Sequence, residues 1–260
     1  MRYYELCTPI FGFDFNMLFL CLFYAGINAA KTKGKGNGDP FTTRFSVHRI
    51  RDHEFSQDQI GWIEEADFGA LLAMSEFSIP VKLVAWIMKH IDVDLREFRL
   101  KHKVIVFDKQ IVCNILGVPS GEEPVKLTST ADQYEAFQKI HEPFMDGFKV
   151  RCPKCMEVLT KPKDKDSFMR AFMLLALGFV FCLGTDNATT PRYLYNLLDV
   201  SKIKSFDWAR HILDELMNQV QKYQTHDPEV EGAATSPYLG SCLAVLVVCS
   251  FFPFVLYSFL

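Results

Sequence analysis

Apolar side chains recur at intervals of three and four residues through the centre of the chain. This spacing places them along one side of an α-helix, so it predicts several helices packed around a shared core. The apolar positions are Ile60 and Ile63; Leu83, Val84, Ile87 and Met88; Ile111, Val112, Ile115 and Leu116; and Ala209, Ile212, Leu213, Leu216 and Val220. A further helix is predicted over 131–142, and the uncharged run 171–183 predicts a helix buried in protein.

Residues that favour helix ends set the expected limits of these segments. Ser56 and Gln59 have the spacing of a capping box, in which each side chain accepts a hydrogen bond from the backbone of the other residue. Gly117 and Pro119 are typical of a helix end and stop the helix that Asp108 begins. The residues expected to begin helices are Ser56, Ser78 with Pro80 in the first turn, Asp108, either Asp166 or Ser167, and Ser205.

The hydrophobic spacing changes at Glu97, where apolar and polar residues begin to alternate. Phe98 and Leu100 alternate with polar neighbours, residues 101–103 are polar, and residues 104–107 are apolar and rich in β-branched side chains. This pattern predicts two short strands joined by a turn. The expected fold class is therefore mainly α, a compact multi-helix domain with one small β-hairpin.

Composition divides the chain into four segments. Residues 1–30 form an apolar N-terminal segment. Its run 17–27 is the core of a signal peptide, a stretch that packs on the domain, or an exon that does not belong to the folded unit. Residues 31–42 are rich in glycine and lysine, which predicts a flexible linker. We assign residues 43–236 to the helical domain and residues 237–260 to an apolar C-terminal segment.

The C-terminal segment allows two interpretations. Residues 238–260 carry no charge, and thirteen of them are Leu, Val or Phe. A run of about 20 apolar residues is long enough to cross a bilayer as a helix, so membrane attachment through 238–260 is one interpretation. The other is a helix buried in the core of the protein.

Global charge gives no indication of nucleic-acid binding. The 260 residues carry a net charge of -3, and 49% of them are hydrophobic, which excludes a wholly disordered chain. Arg99, Lys101, His102 and Lys103 on the hairpin could contact phosphates, which keeps nucleic acid as a weakly supported partner. Charges on an exposed hairpin are more often simply solvated.

Candidate chemistry is sparse. Cys152 and Cys155 form a C-x-x-C pair, which is half of a zinc site, and no second pair with suitable spacing accompanies it. We expect this pair to lie in an inert surface loop and His211 to lie on a helix surface. No catalytic signature surrounds any cysteine, so we predict no enzymatic activity and no cofactor, and assign no catalytic, cofactor-binding or metal-binding residue.

Several short motifs follow one another in a fixed order. The most specific is V-x-x-x-L-G-x-P-x-G at residues 112–121; the others are residues 68–72, the segment 80–91 with Trp86, the hairpin 98–107, and residues 168–174 and 207–213. In this order they resemble the plant mobile domain, a family found in plant transposable elements and in host genes derived from them. The resemblance covers residues 43–245, after which the sequence departs into residues rich in Val and Phe, as in a product truncated at its C-terminus.

The resemblance implies a non-catalytic, transposon-derived helical domain that binds unidentified protein partners through exposed helix faces. It also implies a nuclear or cytoplasmic location. The family is often labelled "aminotransferase-like", but it has no agreed catalytic residues that could be carried over. The alternative function is that of a membrane-attached protein anchored by the C-terminal segment.

Overall fold

The computed structural model describes residues 42–45, 50, 53–74, 77–100, 103–182, 188–225 and 242–249. Within these ranges the fold is mainly α, which confirms the predicted class. The helices with named bounds are α1 (Gln57–Glu65), α2 (Ala70–Ala73), α3 (Val81–His90), α4 (Lys109–Leu116), α5 (Ala131–Ile140), α6 (Cys152–Thr160), α7 (Lys165–Ala176) and α8 (Trp208–Thr225). A π-helical turn (Leu177–Phe181) continues α7, and 3-10 turns cover Glu142–Phe144, Pro191–Asn196 and Val200–Ser205.

Short antiparallel strands accompany the helices. They are β1 (Thr42–Phe45), β2 (Phe77–Pro80), β3 (Ile91–Asp92), β4 (Glu97–Leu100), β5 (Lys103–Val106), β6 (Met145–Asp146), β7 (Lys149–Arg151) and β8 (Ala188–Thr189). The predicted hairpin is confirmed as β4 and β5, which lie in a sheet of order β3-β4-β5. The described residues also contain a β1-β2 pair and a β6-β7-β8 sheet, so the chain has more β-structure than the one hairpin that we expected. Strands of two to four residues are too short to produce a clear alternation in the sequence.

Local hydrogen bonds explain two helix limits that the sequence predicted. The backbone N of Ser56 donates to Oε1 of Gln59 at 2.9 Å, and the N of Gln59 donates to the hydroxyl of Ser56 at 3.3 Å, which confirms the capping box of α1. Asp108 caps α4, and Gly117 ends it with a φ of 60°. A Cβ at Gly117 would also overlap the side chain of Ala70, so this position favours glycine for two reasons.

Two other predicted helix starts were wrong by a few residues. Ser78 and Pro80 lie in β2, and α3 begins only after that strand. Asp164, rather than Asp166 or Ser167, caps α7: its Oδ1 accepts from the backbone N of Ser167 at 2.7 Å. The side chain of Ser167 accepts in return from the N of Asp164 at 3.1 Å, so serine fills the position that Glu or Gln takes in most capping boxes.

The start of α8 also differs from the prediction. Ser205 lies at the end of a 3-10 turn, where its hydroxyl donates to Oε1 of Glu123 at 2.9 Å. The helix begins at Trp208, and Oδ1 of Asp207 accepts from the backbone N of Arg210 at 3.1 Å. Asp207 therefore satisfies a backbone N–H in the first turn that has no partner within the helix.

The core is built around α7. Every side chain of α7 from residue 168 onward is buried except that of Arg170, which confirms the prediction of a helix surrounded by protein. The guanidinium of Arg170 donates to the carbonyls of Leu197 and Leu198 at 2.9 and 3.0 Å and to Oδ2 of Asp166 at 2.9 Å. These bonds satisfy a mostly buried charge and tie α7 to the segment before α8.

Part of the apolar C-terminal segment lies in the core. Residues 243–249 are helical, and they and Cys242 are buried. For these eight residues this is what the core-helix interpretation predicts. In the ranges that the structure describes, no helix is both long and apolar enough to cross a membrane. The other residues of 237–260, the run 17–27 and residues 31–41 of the predicted linker lie outside those ranges. Thr42, the last residue of that linker, is the first residue of β1.

Candidate functional site

Two motifs that are distant in the sequence meet at the start of α8. The carboxylate of Asp207 accepts from the hydroxyl of Ser120 at 3.0 Å and from Nζ of Lys109 at 3.2 Å. The backbone N of Asp207 donates to the carbonyl of Glu123 at 2.7 Å. We call this set of contacts the Asp207 junction. It joins the turn after α4 to α8 and so fixes how these two helices pack.

Close backbone contact at the junction requires glycine. The N of Gly121 donates to the carbonyl of Phe206 at 3.1 Å. A Cβ at Gly121 would overlap the backbone of Ser205, so any other residue would push the two segments apart. Trp208, the residue after Asp207, is fully buried, and its indole N–H donates to the carbonyl of Ile203 at 2.8 Å. The junction is therefore structural, and it holds the surrounding elements in place.

The middle and the C-terminal end of α8 contact the β3-β4-β5 sheet. Arg96, in the turn between β3 and β4, pairs with Asp214 of α8 at 2.8 Å. The amide of Gln224 donates to the carbonyls of Met88 and Ile91 at 2.7 and 2.8 Å, where α3 runs into β3. Phe98 of β4 is buried against the core. The sheet is thus attached to α8 through the turn before β4 and through the junction of α3 with β3.

The opposite face of this sheet exposes apolar side chains. Val104 and Val106 of β5 are 53% and 47% exposed, and Leu95 in the neighbouring turn is 55% exposed. Val106 is paired with Glu97, the first residue after that turn, so Leu95 lies at the same end of the sheet as Val106. We call Leu95, Val104 and Val106, together with the edge of β5 that no other described strand pairs with, the hairpin surface. In the order β3-β4-β5, β5 has a neighbour on one side within the sheet.

Exposed apolar side chains elsewhere are more scattered. Phe148, at the tip of the β6-β7 turn, is 96% exposed, and Tyr134 on α5 is 51% exposed. The Tyr134 ring stacks on that of Phe137 with centroids 6.1 Å apart, so part of it packs on its own helix. Neither belongs to a run of exposed apolar residues on one strand, as Val104 and Val106 do.

The charges of the hairpin are partly neutralised within it. Arg99 donates from Nη2 to Oε2 of Glu97 at 2.7 Å and from Nε to the same oxygen at 3.0 Å. Lys103 is the first residue of β5, and Lys101 and His102 lie outside the described residues. The pairing of Arg99 with Glu97 reduces the net positive charge that the nucleic-acid interpretation would need.

A cluster of polar side chains that the sequence did not predict lies between α7 and α8. The hydroxyl of Tyr193 lies 2.9 Å from Nε2 of His211, and it also hydrogen-bonds with the thiol of Cys182. Glu215 of α8 is close enough to interact electrostatically with all three groups. The prediction that His211 lies on a helix surface was therefore wrong, because its ring is half-buried against Tyr193.

Burial holds these groups in their neutral forms. It raises the pKa of Cys182 and of Tyr193 above their usual values, because a thiolate or phenolate would lose its hydration there. Burial also lowers the pKa of His211, an effect that Glu215 and Asp214 partly offset. A protonated thiol is a poor nucleophile, so the arrangement favours hydrogen bonding within the core over covalent chemistry.

The C-x-x-C pair is helical, so the prediction of a surface loop was wrong. Cys152 and Cys155 lie in the first turn of α6, and both are buried. Burial and the neighbouring Cys152 raise the pKa of the Cys155 thiol. A Cβ at Gly178 would lie 3.4 Å from Sγ of Cys152, so this thiol fills the space beside the π-helical turn. Among the described residues, no three His, Cys, Asp or Glu side chains are placed to hold a metal ion.

A shallow groove lies between α6 and the turn before β6. Its volume is about 430 Å³, and Met145 and Val158 form part of its wall. Two acidic and two basic side chains also line it, namely Glu142, Glu157, Lys154 and Lys161. The charges balance, so the groove has no net charge that would select an ionic ligand.

Within the described residues, the fold is a mainly α-helical domain in which β5 lies at the edge of its sheet. Residues 43–247 match the family described as "Domain of unknown function (DUF8566)". Because the match spans most of the chain, the protein belongs to this family. No curated protein and no solved structure matches it significantly.

Proposed function

We propose that this protein is a non-catalytic interaction domain that binds protein partners through the hairpin surface. The observation that carries the proposal is the exposure of three large apolar side chains, Leu95, Val104 and Val106, around one sheet edge. Contiguous apolar surface of this kind is typical of interaction sites. The unpaired backbone of an edge strand adds hydrogen-bonding groups that a partner strand can use.

The attachment of the sheet to α8 supports this proposal. The Arg96–Asp214 ion pair and the hydrogen bonds of Gln224 hold the sheet in one position before any partner arrives. A surface that is already ordered loses less conformational entropy on binding. The sequence led us to expect binding through helix faces, whereas we propose the hairpin as the binding element.

The buried cysteines support the non-catalytic part of the proposal. Burial raises the pKa of the thiols of Cys155 and Cys182, and a nucleophilic cysteine needs the opposite shift. The hydroxyl of Tyr193 lies between Cys182 and His211, so the imidazole does not contact the thiol as a general base would.

We also propose that the protein is a transposon-derived member of the plant mobile domain type. Its support is the order of the motifs along the chain together with their contacts. Residues 112–121 and 207–213, both part of the resemblance, meet at the Asp207 junction through Ser120 and Gly121. A solved plant mobile domain with the same contact at the equivalent motifs would support the relationship, and one with these motifs apart would contradict it.

Capture of partners by a tagged full-length chain tests the interaction function. Val104→Lys/Val106→Lys removes two exposed apolar side chains and adds two charges at the hairpin surface. Tyr134→Lys/Phe148→Lys makes the same chemical change at exposed positions elsewhere and is the matched control. We expect proteins cross-linked to the wild-type chain to be lost with the first variant and retained with the second. If the two variants capture the same proteins as the wild type, the proposal is wrong.

A further inference from the structure

The register of the hairpin determines which backbone groups of β5 are available to a partner. Leu100 pairs with Lys103, and only two residues separate them in the sequence, which requires these two residues to exchange hydrogen bonds. The N of Phe107 donates to the carbonyl of Arg96 at 2.8 Å, as expected when every second residue pair is hydrogen-bonded. Bonding to β4 therefore falls on residues 103, 105 and 107, and the N–H and C=O of Val104 and Val106 point away from β4.

We propose that the hairpin surface binds a second copy of this chain, with β5 pairing antiparallel to β5 across a twofold axis. This inference rests on the proposed interaction function and gives it a partner. The pairing joins two three-stranded sheets into one of six strands. Val104 and Val106 of each copy then exchange backbone hydrogen bonds with Val106 and Val104 of the other, and both exposed edges are covered.

Charge complementarity modestly favours this register among the twofold ones. Val104 lies beside Arg99 and Val106 beside Glu97 on the exposed face of the hairpin. In this pairing, the side chains that lie side by side across the four central strands form a row. Each row contains Arg99 and Val104 of one copy, then Val106 and Glu97 of the other, and so holds one cation and one anion. Pairing Val104 with Val104, or Val106 with Val106, would put two Arg99 or two Glu97 residues in one row. The two ends of a row lie three strand spacings apart, about 14 Å, so this interaction is small and favours the mixed register mainly at low ionic strength.

The same register brings the apolar side chains together. Each valine of one copy faces a valine of the other on the exposed face, and Ile105 faces Ile105 at the twofold axis. Cross-strand pairs of β-branched residues stabilise antiparallel sheets. The contact is one strand wide, so the interface is small and the association weak and reversible.

Sedimentation velocity on the full chain tests the proposal, at protein concentrations from about 1 to 300 µM to cover weak association. We expect the wild type to pass from monomer to dimer within this range. Val104→Lys/Val106→Lys should remain monomeric, while the control Tyr134→Lys/Phe148→Lys should dimerise like the wild type. Circular dichroism and thermal unfolding establish that each variant is folded.

A charge exchange tests the register. Glu97→Arg and Arg99→Glu each put like charges into both rows and should weaken dimerisation about two- to fivefold at low ionic strength, since exposed charges contribute modestly. The double variant Glu97→Arg/Arg99→Glu restores one cation and one anion to each row and should recover the wild-type dimerisation. Recovery would support the mixed register, and further weakening would overturn it.

A wild-type chain that stays monomeric throughout the concentration range overturns the inference. So does a dimer that persists in Val104→Lys/Val106→Lys. The capture experiment above separates this failure from that of the proposed function. A monomeric chain that still captures another protein through Val104 and Val106 has an interaction function with a different partner.

Discussion

Replacing Asp207 with alanine removes three hydrogen bonds from the place where α4 and α8 are joined. The carboxylate accepts from Ser120, Lys109 and the backbone N of Arg210, at 3.0, 3.2 and 3.1 Å. The side chain of Asp207 is only 16% exposed, so water can replace these partners only in part. We therefore expect Asp207→Ala to reduce the free energy of unfolding more than an ordinary surface substitution.

The size of the loss follows from the three contacts. Losing a helix-capping side chain costs about 1 kcal/mol, and the hydrogen bond from Ser120 to the carboxylate adds a similar amount. The ion pair with Lys109 is half-exposed on the lysine side and adds less than about 1 kcal/mol. The total is about 2–3 kcal/mol. Asp207→Asn keeps a capping oxygen and loses the charge, so about 1 kcal/mol is expected for that variant.

Urea unfolding followed by circular dichroism at equilibrium measures this loss. Asp132→Ala is the control, because Asp132 is an exposed carboxylate in the first turn of α5, and about 0.5 kcal/mol or less is expected there. Lys109→Met and the double variant with Asp207→Ala isolate the ion pair as a coupling energy. The account of the junction fails if Asp207→Ala and Asp132→Ala destabilise the protein equally.

Three further predictions concern packing, pH and thiol reactivity. Gly121→Ala should lower the free energy of unfolding by about 1–3 kcal/mol, because the new Cβ overlaps a backbone carbonyl before α8. Gly61→Ala, in an open position of α1, should raise it by about 0.5–1 kcal/mol. Equal effects of the two variants in urea unfolding would contradict the close contact at Gly121. Burial lowers the pKa of His211, so the unfolded chain takes up this proton first, and stability should fall as the pH decreases through about 6.5. His211→Gln should flatten that part of the unfolding profile, and an unchanged profile would disprove the assignment. Burial raises the pKa of Cys242 and of Cys249 to about 12, so both thiols should resist alkylation by iodoacetamide until urea is added. Mass spectrometry measures the labelling, and rapid labelling of the native chain would place these cysteines outside the core.

Helix limits were predictable where the chemistry is local. The capping box of Ser56 and Gln59, and the bonds of Asp108 and Gly117 at the two ends of α4, join residues three or four positions apart. A second capping box, with Thr130 before α5, has the same pattern and could have been found in the sequence.

The errors arose where one signal has two physical meanings. Pro153, between Cys152 and Cys155, is a residue that favours loops, but proline also fits the first turn of a helix, where it stands in α6. Ser205 is a good capping residue, yet Asp207 lies two positions later and caps α8 instead. In both cases the competing candidate was present in the sequence.

The contacts that define the sites join distant positions and could not be predicted from local pattern. Ser120 and Asp207 are 87 residues apart, and Tyr193 and His211 are 18 residues apart on different elements. The hairpin surface combines both kinds of information. Its strands were predicted from alternation in β4 and from β-branched residues in β5, but the exposure of Val104 and Val106 depends on which face packs on the core.

Hydrogen exchange measured by NMR at individual amides tests the binding mode most directly. Val104 and Val106 direct their N–H groups away from β4, whereas the N–H of Ile105 bonds within the hairpin. If a second copy pairs with β5, the amides of Val104 and Val106 exchange more slowly as the protein concentration rises, and Ile105 changes little. Exchange at Val104 and Val106 that stays fast and independent of concentration would contradict the account.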